Sequence, residues 1–189
     1  QNRTRRRRHE HYNSVMKDFS ELVSQEQIGR AIQALEANGM KAYFVADGAE
    51  AKKKVFEILP EDAEVMNMSS ETLNTIGVAK EIVESGKYNA VRAKLMDKDV
   101  PADRKRQLGA AADWTIGSVH ALTEDGKLMI ASNTGSQLGA YSYGSPHLIW
   151  VIGAQKIVKD FDEGMKRLYE YVLPIEDVRI NKMYNITTG

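Results

Sequence analysis

The sequence predicts an α/β fold: a three-layer α/β/α sandwich around a mainly parallel sheet. Short apolar runs of strand character, "AEVMNMSS", "DWTIGS" and "HLIWVIG", alternate with longer segments of helical period. Each run opens onto small or polar residues, as parallel strands do where they hand over to a helix or loop. No internal repeat and no Gly/Ser linker interrupts the alternation. With 189 residues the chain is long enough for one sizeable core. The expected organisation is a basic arm and helix over residues 1–24, one α/β domain over 25–175 and a tail over 176–189.

The elements follow in order. Tyr12, Val15, Met16, Phe19, Leu22 and Val23 recur at helical spacing. Gln25 to Asn38 repeats the pattern with Ile28, Ile32 and Leu35, and Asn38-Gly39 supplies a left-handed stop. "KAYFVADG" reads as a β run, and Ala49 to Leu59 as a helix ended by Pro60. "AEVMNMSS" is the next strand. Glu71 to Ser85 is helical with a weak point at Gly77, and helix is expected on both sides of Pro101. "DWTIGS" is a short strand, and Gly135 to Tyr143 a short helix. "HLIWVIG" is a near-continuous apolar run, which suits a strand buried on both faces. Asp160 to Glu163 reads as a capping box. Phe161, Met165, Leu168 and Val172 then share one helical face, closed by Pro174. From Glu176 onward no period is visible, so an arm is expected. Tyr141, Tyr143 and Trp150 are read as packing residues, and His147 as a boundary residue of its strand.

Between Val119 and Ser132 the pattern is a hairpin turning at Asp125-Gly126, a pair that favours a type I′ turn. A two-residue turn sets Glu124 opposite Lys127, His120 opposite Ala131 and Ser118 opposite Asn133. Four strand steps of about 3.3 Å then separate Glu124 from His120 by about 13 Å, too far for a direct acid–base pair. Glu124 falls at the closed end, and Asn133 to Gln137 beside Gly117-Ser118 at the open end.

Composition removes several classes of function. Lys plus Arg equals Asp plus Glu at 26 each, so no whole-molecule field draws in nucleic acid or a membrane surface. Arg5 to Arg8 form a local basic run, read as a solvated terminus. No apolar run approaches a membrane span and no signal-peptide core follows the basic start, so a cytoplasmic location is expected. There is no cysteine, which excludes disulfides, thiolate nucleophiles and Cys-ligated clusters in this chain. None of the four histidines, His9, His11, His120 and His147, shows a metal-ligand spacing, so no metal site is expected.

In open α/β sheets ligands sit beyond the C-terminal ends of the parallel strands. Three loops qualify. After "AEVMNM" come Ser69, Ser70, Glu71 and Thr72: hydroxyl and amide donors to an oxyanion with one carboxylate, or an N-cap with a first-turn Glu. After "DWTI" comes Gly117-Ser118. After "IWVIG" comes Lys156, a charge clamp or a solvated lysine. The polar run Asn133, Thr134, Gly135, Ser136 and Gln137 joins them as an anion cradle at a helix start, or as an N-cap alone. Glu124 is the second candidate carboxylate after Glu71; its other reading is an ion pair with Lys127.

"ADWTIGSVHALTEDGKLMIASNTGSQL" followed by "HLIWVIGAQKIVKDFDEGMKRLYEYVLP" resembles the lactate-utilisation (LUD) domain family, LutC/YkgG type. "AEVMNMSSETLNTIG" is similar to its earlier strand-and-loop segment. The likeness spans Gln25 to Glu176 and is densest over Gly109 to Pro174. It implies the fold shared by sugar-phosphate isomerases and CoA-transferases. It also implies a role in oxidation of lactate to pyruvate beside redox partner proteins. Any iron–sulfur clusters would then belong to those partners, and no cofactor is expected in this chain. CoA-transferases carry a nucleophilic glutamate in a Ser-Glu-Asn-Gly loop; here Ser70-Glu71 is followed by Thr72-Leu73. Three functions follow as expectations. One is a component of lactate oxidation that binds a small carboxylate or phosphate. A second is an autonomous isomerase or CoA-transferase-like enzyme using a glutamate. The third is a non-catalytic sensor or assembly module. Homo-oligomerisation stays open.

Overall fold

A computed structural model describes residues 18–184. The Arg-rich arm, His9, His11 and the start of the Tyr12–Val23 pattern lie outside the described residues. Residues 18–23 are not helical; Phe19 instead inserts into the core.

The chain runs α1 (Gln25–Ala37), α2 (Gly48–Ile58), β1 (Glu64–Asn67), α3 (Glu71–Thr75), α4 (Val78–Glu84), β2 (Asn89–Ala90), α5 (Val91–Met96) and α6 (Ala102–Ala110). It continues with β3 (Trp114–Gly117), β4 (Ala121–Thr123), β5 (Leu128–Met129), a π-turn (Ala140–Gly144), β6 (His147–Trp150), a 3-10 turn (Ala154–Lys156) and β7 (Ile157–Val158). It ends on α7 (Phe161–Lys166), a π-helical segment (Arg167–Val172) and α8 (Leu173–Tyr184).

The expected sandwich is present. Strands β2-β1-β3-β6 form one wholly parallel sheet. Alternation along β1 sends Val65 to one face, where it meets α2, α3 and α4 through Val55, Leu73 and Ile82. Met66 goes to the other face, against Val91, Leu108 and Ala140. Helix, sheet and helix are therefore three layers.

A second sheet is the main departure. Strands β5-β4-β7 pair separately, β4 with β7 in parallel. It too is covered on both faces. Leu122 and Ile157 pack on Ile28 and Ala31 of α1, while Ala121 and Val158 meet Phe19 and, from α7 and the π-helical segment, Met165 and Leu168. Strand β7 is only two residues long, too short to show a period.

Several local expectations are corrected. The hairpin register is shifted by one residue: Ala121 pairs with Met129 and Leu122 with Leu128. Glu124, Asp125 and Gly126 form a three-residue turn, with Gly126 left-handed at φ 85° and its N–H donating to Thr123 O. Glu124 therefore does not face Lys127, which pairs with Asp125 instead. Residues 41–45 carry strand-forming side chains but join no ladder, leaving Tyr43 and Phe44 exposed. Strand β6 is an edge strand paired only with β3, and it is half-buried rather than enclosed. No helix starts at Gly135: the helical turn begins at Leu138 and widens to a π-turn. Tyr143 is exposed, as is Phe161.

Pro174 does not close the last helix, and the run expected as an arm is helical to Tyr184. A proline clashes with the carbonyl four residues before it and lacks an N–H to donate. The preceding residues are π-helical, with Leu173 N–H donating to Leu168 O, and the wider turn accommodates the ring. Among the described residues, no helix is long and apolar enough to cross a membrane.

Candidate functional site

Two strand-to-strand crossovers build the site. The chain leaves the large sheet at β3, passes through Ser118-Val119-His120 and enters the small sheet at β4. It leaves again at β6, passes through the 3-10 turn and enters at β7. Because β3 pairs with β6 and β4 with β7, the two crossovers run side by side. Lys156, the last residue of the 3-10 turn, reaches from one to the other. Its ammonium donates to Ser118 Oγ at 2.9 Å and to the Val119 carbonyl at 3.1 Å. A third bond, 3.0 Å long, goes to Thr72 Oγ1 in α3, beyond the end of β1. The three strand-end loops thus meet at a single nitrogen.

All three acceptors are neutral. Among the described residues no carboxylate makes an ion pair with Lys156. A second cation stands close by. Arg167 is only 3% exposed and donates to His120 O at 2.8 Å and Phe19 O at 2.6 Å, with its guanidinium over the rings of Phe19 and Tyr171. Burial, reinforced by the Arg167 charge, pulls the Lys156 amine down to about 8. Burial also lowers His120, and the Lys156 and Arg167 charges add to it against the opposing charge of Glu176. The His120 Nδ1 accepts from Ala131 N–H at 3.2 Å, so neutral His120 carries its proton on Nε2. Tyr141 lies over Gly117, whose missing side chain leaves room for the phenol. Burial raises the Tyr141 hydroxyl to about 12, opposed by a hydrogen bond from the Ser118 backbone.

Thr72, Ser118, His120, Asn133, Lys156 and Arg167 line one broad cleft between the sheets. Under its lining lie two polar atoms without a partner, Asn67 Oδ1 and Trp150 Nε1. An unpaired buried donor or acceptor costs about 1–3 kcal/mol. Each therefore favours a state in which a ligand or a moved neighbour satisfies it.

The other candidate residues are placed as follows. Ser69 Oγ accepts from Arg92 at 2.6 Å at the cleft wall. Ser70 caps α3, its hydroxyl accepting from Leu73 N–H. Glu71 is exposed in the first turn of that helix. Glu124 is turned away from the cleft and held by α1, accepting from Gln27 at 2.8 Å and pairing with Arg30 at 2.5 Å. Asn133, Thr134, Ser136 and Gln137 border the cleft. Gly135 is left-handed at φ 71° in an exposed bend. Two N–H groups of that bend are already taken, Gly135 by Ser132 Oγ and Ser136 by Thr134 Oγ1.

Sequence reading did not single out Asn67 or Arg167, and it took Tyr141 for a packing residue, which its place over Gly117 and beside Trp150 bears out. Asn67 had a signal, a lone polar residue closing an apolar strand run. Arg167 had none, because one arginine within an amphipathic helix looks like any solvated one.

The sequence profile of the LUD domain matches residues 28–189. This chain belongs to the LUD-domain family. The match spans both sheets, both crossovers and Lys156, so the lysine and the loops it joins lie within the LUD domain. Membership makes this a lactate-utilisation-related domain. No curated protein matches the chain.

Proposed function

We propose that this LUD domain binds a short carboxylate of the 2-hydroxy or 2-oxo acid class at Lys156, as a component of lactate oxidation to pyruvate. One observation carries the reading: Lys156 and Arg167 are two cations sharing one cleft and held only by neutral oxygens, π-faces and backbone carbonyls. Withdrawing a cation from water without an opposing charge is unfavourable, and an anion in the cleft removes that penalty. The hydroxyl of a 2-hydroxy acid can donate to Asn67 Oδ1, which borders the cleft. Ser69, Thr72, Asn133 and Ser136 are the rim donors of this reading. Glu71 stands at the edge of the cleft and Glu124 outside it, which disfavours chemistry through either of these two. The chain has no cysteine, so Cys-ligated redox centres would be carried by partner proteins.

Thermal unfolding with lactate, pyruvate, inorganic phosphate and CoA esters tests the reading. Lactate or pyruvate should raise the midpoint, corresponding to about 2.7 kcal/mol at a hundredfold excess over Kd. Lys156→Met should abolish the shift. Stabilisation by none of these acids, or an undiminished shift in Lys156→Met, overturns it.

A further inference from the structure

The arrangement around Lys156 is not that of an ordinary charge clamp. A lysine placed only to hold an anion is best left well solvated or paired, since both keep it protonated. Here Nζ is drawn into a half-buried position. It faces two hydroxyls and a backbone carbonyl, with a guanidinium as its charged neighbour. Burial and the guanidinium favour the neutral amine, and the three neutral acceptors hold the ammonium less firmly than a carboxylate would. A desolvated lysine next to another cation is the arrangement that activates an amine toward carbonyl carbon. The three acceptors also differ in kind. Val119 O can only accept, so it orients one N–H in either protonation state. Ser118 Oγ and Thr72 Oγ1 can accept from the ammonium, then rotate and donate to the amine lone pair or to an oxyanion.

We propose that Lys156 forms an imine with the ketone of a 2-oxo acid bound in the cleft. This rests on the carboxylate reading above and adds a covalent step to it. The Nζ lone pair attacks C2 of the acid and a C–N bond forms. The carbonyl π pair moves to oxygen, which takes a proton from nitrogen by way of a neighbouring hydroxyl. The carbinolamine hydroxyl then takes back, through the Ser118 or Thr72 hydroxyl, the proton that the ammonium released before attack, and leaves as water while the nitrogen lone pair forms the C=N bond. From ammonium and ketone to iminium and water there is no net proton change and no electron transfer, so no further reactant is required. The entering carbonyl takes the place of one hydroxyl at Nζ. Arg167 keeps the amine neutral for attack and offsets the carboxylate charge of the acid. The covalent step separates the two ligand classes: a 2-oxo acid can be captured, whereas a 2-hydroxy acid has no carbonyl and binds reversibly only.

Reductive trapping tests the step on the intact 189-residue chain. The protein is incubated with pyruvate and sodium cyanoborohydride, with lactate in place of pyruvate as control. Intact mass and peptide mapping then follow. The expected result is a gain of one reduced pyruvyl group per chain, located on Lys156 and absent with lactate. With pyruvate saturating at each pH, trapping should rise severalfold between pH 7 and pH 8.5 as the amine deprotonates. The variant Lys156→Arg keeps a cation but has no primary amine. It should still be thermally stabilised by lactate yet show no adduct at the mapped peptide. Stabilisation of the wild type by pyruvate with no adduct, or with an adduct spread over surface lysines, overturns the imine and leaves the carboxylate reading standing. Absence of both stabilisation and adduct overturns both.

Discussion

Glu124 and Asn67 show how single side chains divide between support and function. Glu124 has a side chain 14% exposed and ties the hairpin tip to α1 through Arg30 and Gln27. Its partner Arg30 is 44% exposed, so water screens much of the attraction. Replacing Glu124 by Gln should therefore cost no more than about 1 kcal/mol and leave the response to carboxylates unchanged. A chemical denaturation curve together with a lactate titration checks both parts; a lost titration response would place Glu124 in the site after all. Asn67 is 4% exposed with an unpaired Oδ1. Most buried polar groups stabilise through their partners, and this one has none on its oxygen. Asn67→Leu, which keeps the branched outline and removes the amide, should cost little in melting temperature while weakening lactate binding severalfold. A drop of many degrees would instead show that the amide has a structural task.

At the scale of elements, close packing of the crossovers holds the site. Gly117 ends β3 beneath Tyr141, and a Cβ there would overlap the phenol oxygen. Gly117→Ala should therefore destabilise by about 1–3 kcal/mol, as overpacking does. Pairing it with Tyr141→Phe should restore part of the loss, because the overlapping hydroxyl is gone. Equal melts for the single and double variants would show that the phenol is not the obstacle. The elements also divide by how legible they were. β1 and β3 announced themselves as short apolar runs buried on both faces, and α1 and α2 by apolar residues at helical period. The hairpin announced its turn but not its register. Asp125-Gly126 fits a two-residue turn and equally the end of a three-residue one, and that single residue redirects Glu124 from Lys127 to Arg30. Strand β7 was invisible for want of length. The π-helical stretch before Pro174 was invisible because proline reads as a stop wherever the preceding turn is a regular one. Thr72, Gly117-Ser118 and Lys156 were legible because parallel strands must deliver their following loops to one end. Their meeting at Nζ was not, since it depends on the second sheet.

For the molecule as a whole, two covered sheets share a seam, and in that seam no carboxylate among the described residues pairs with Lys156 or Arg167. That has a measurable consequence for stability. Lys156 has an amine near 8 in the fold against an ordinary value of 10.5. Between those values the unfolded chain binds more protons than the folded one, so folding stability rises with pH across the window. Below about pH 8 the full penalty of the sequestered ammonium is present; it fades as the folded amine deprotonates. Discounted for the half-buried position, the gain is about 2 kcal/mol. Tyr141 acts in the opposite direction. Its hydroxyl, raised to about 12 from 10.0, favours folding less and less as pH climbs beyond 10. The informative range is therefore pH 7.5 to 10. Stability differences between wild type and Lys156→Met isolate the lysine, because other titrating groups cancel. The variant should be the more stable protein by about 2 kcal/mol at pH 7.5, and most of that advantage should vanish by pH 10. Carboxylate affinity of the wild type should fall over the same range, since it depends on the ammonium. A difference curve that stays flat would show that Lys156 is as well solvated in the fold as in the unfolded chain, and the seam would then have no special hold on anions.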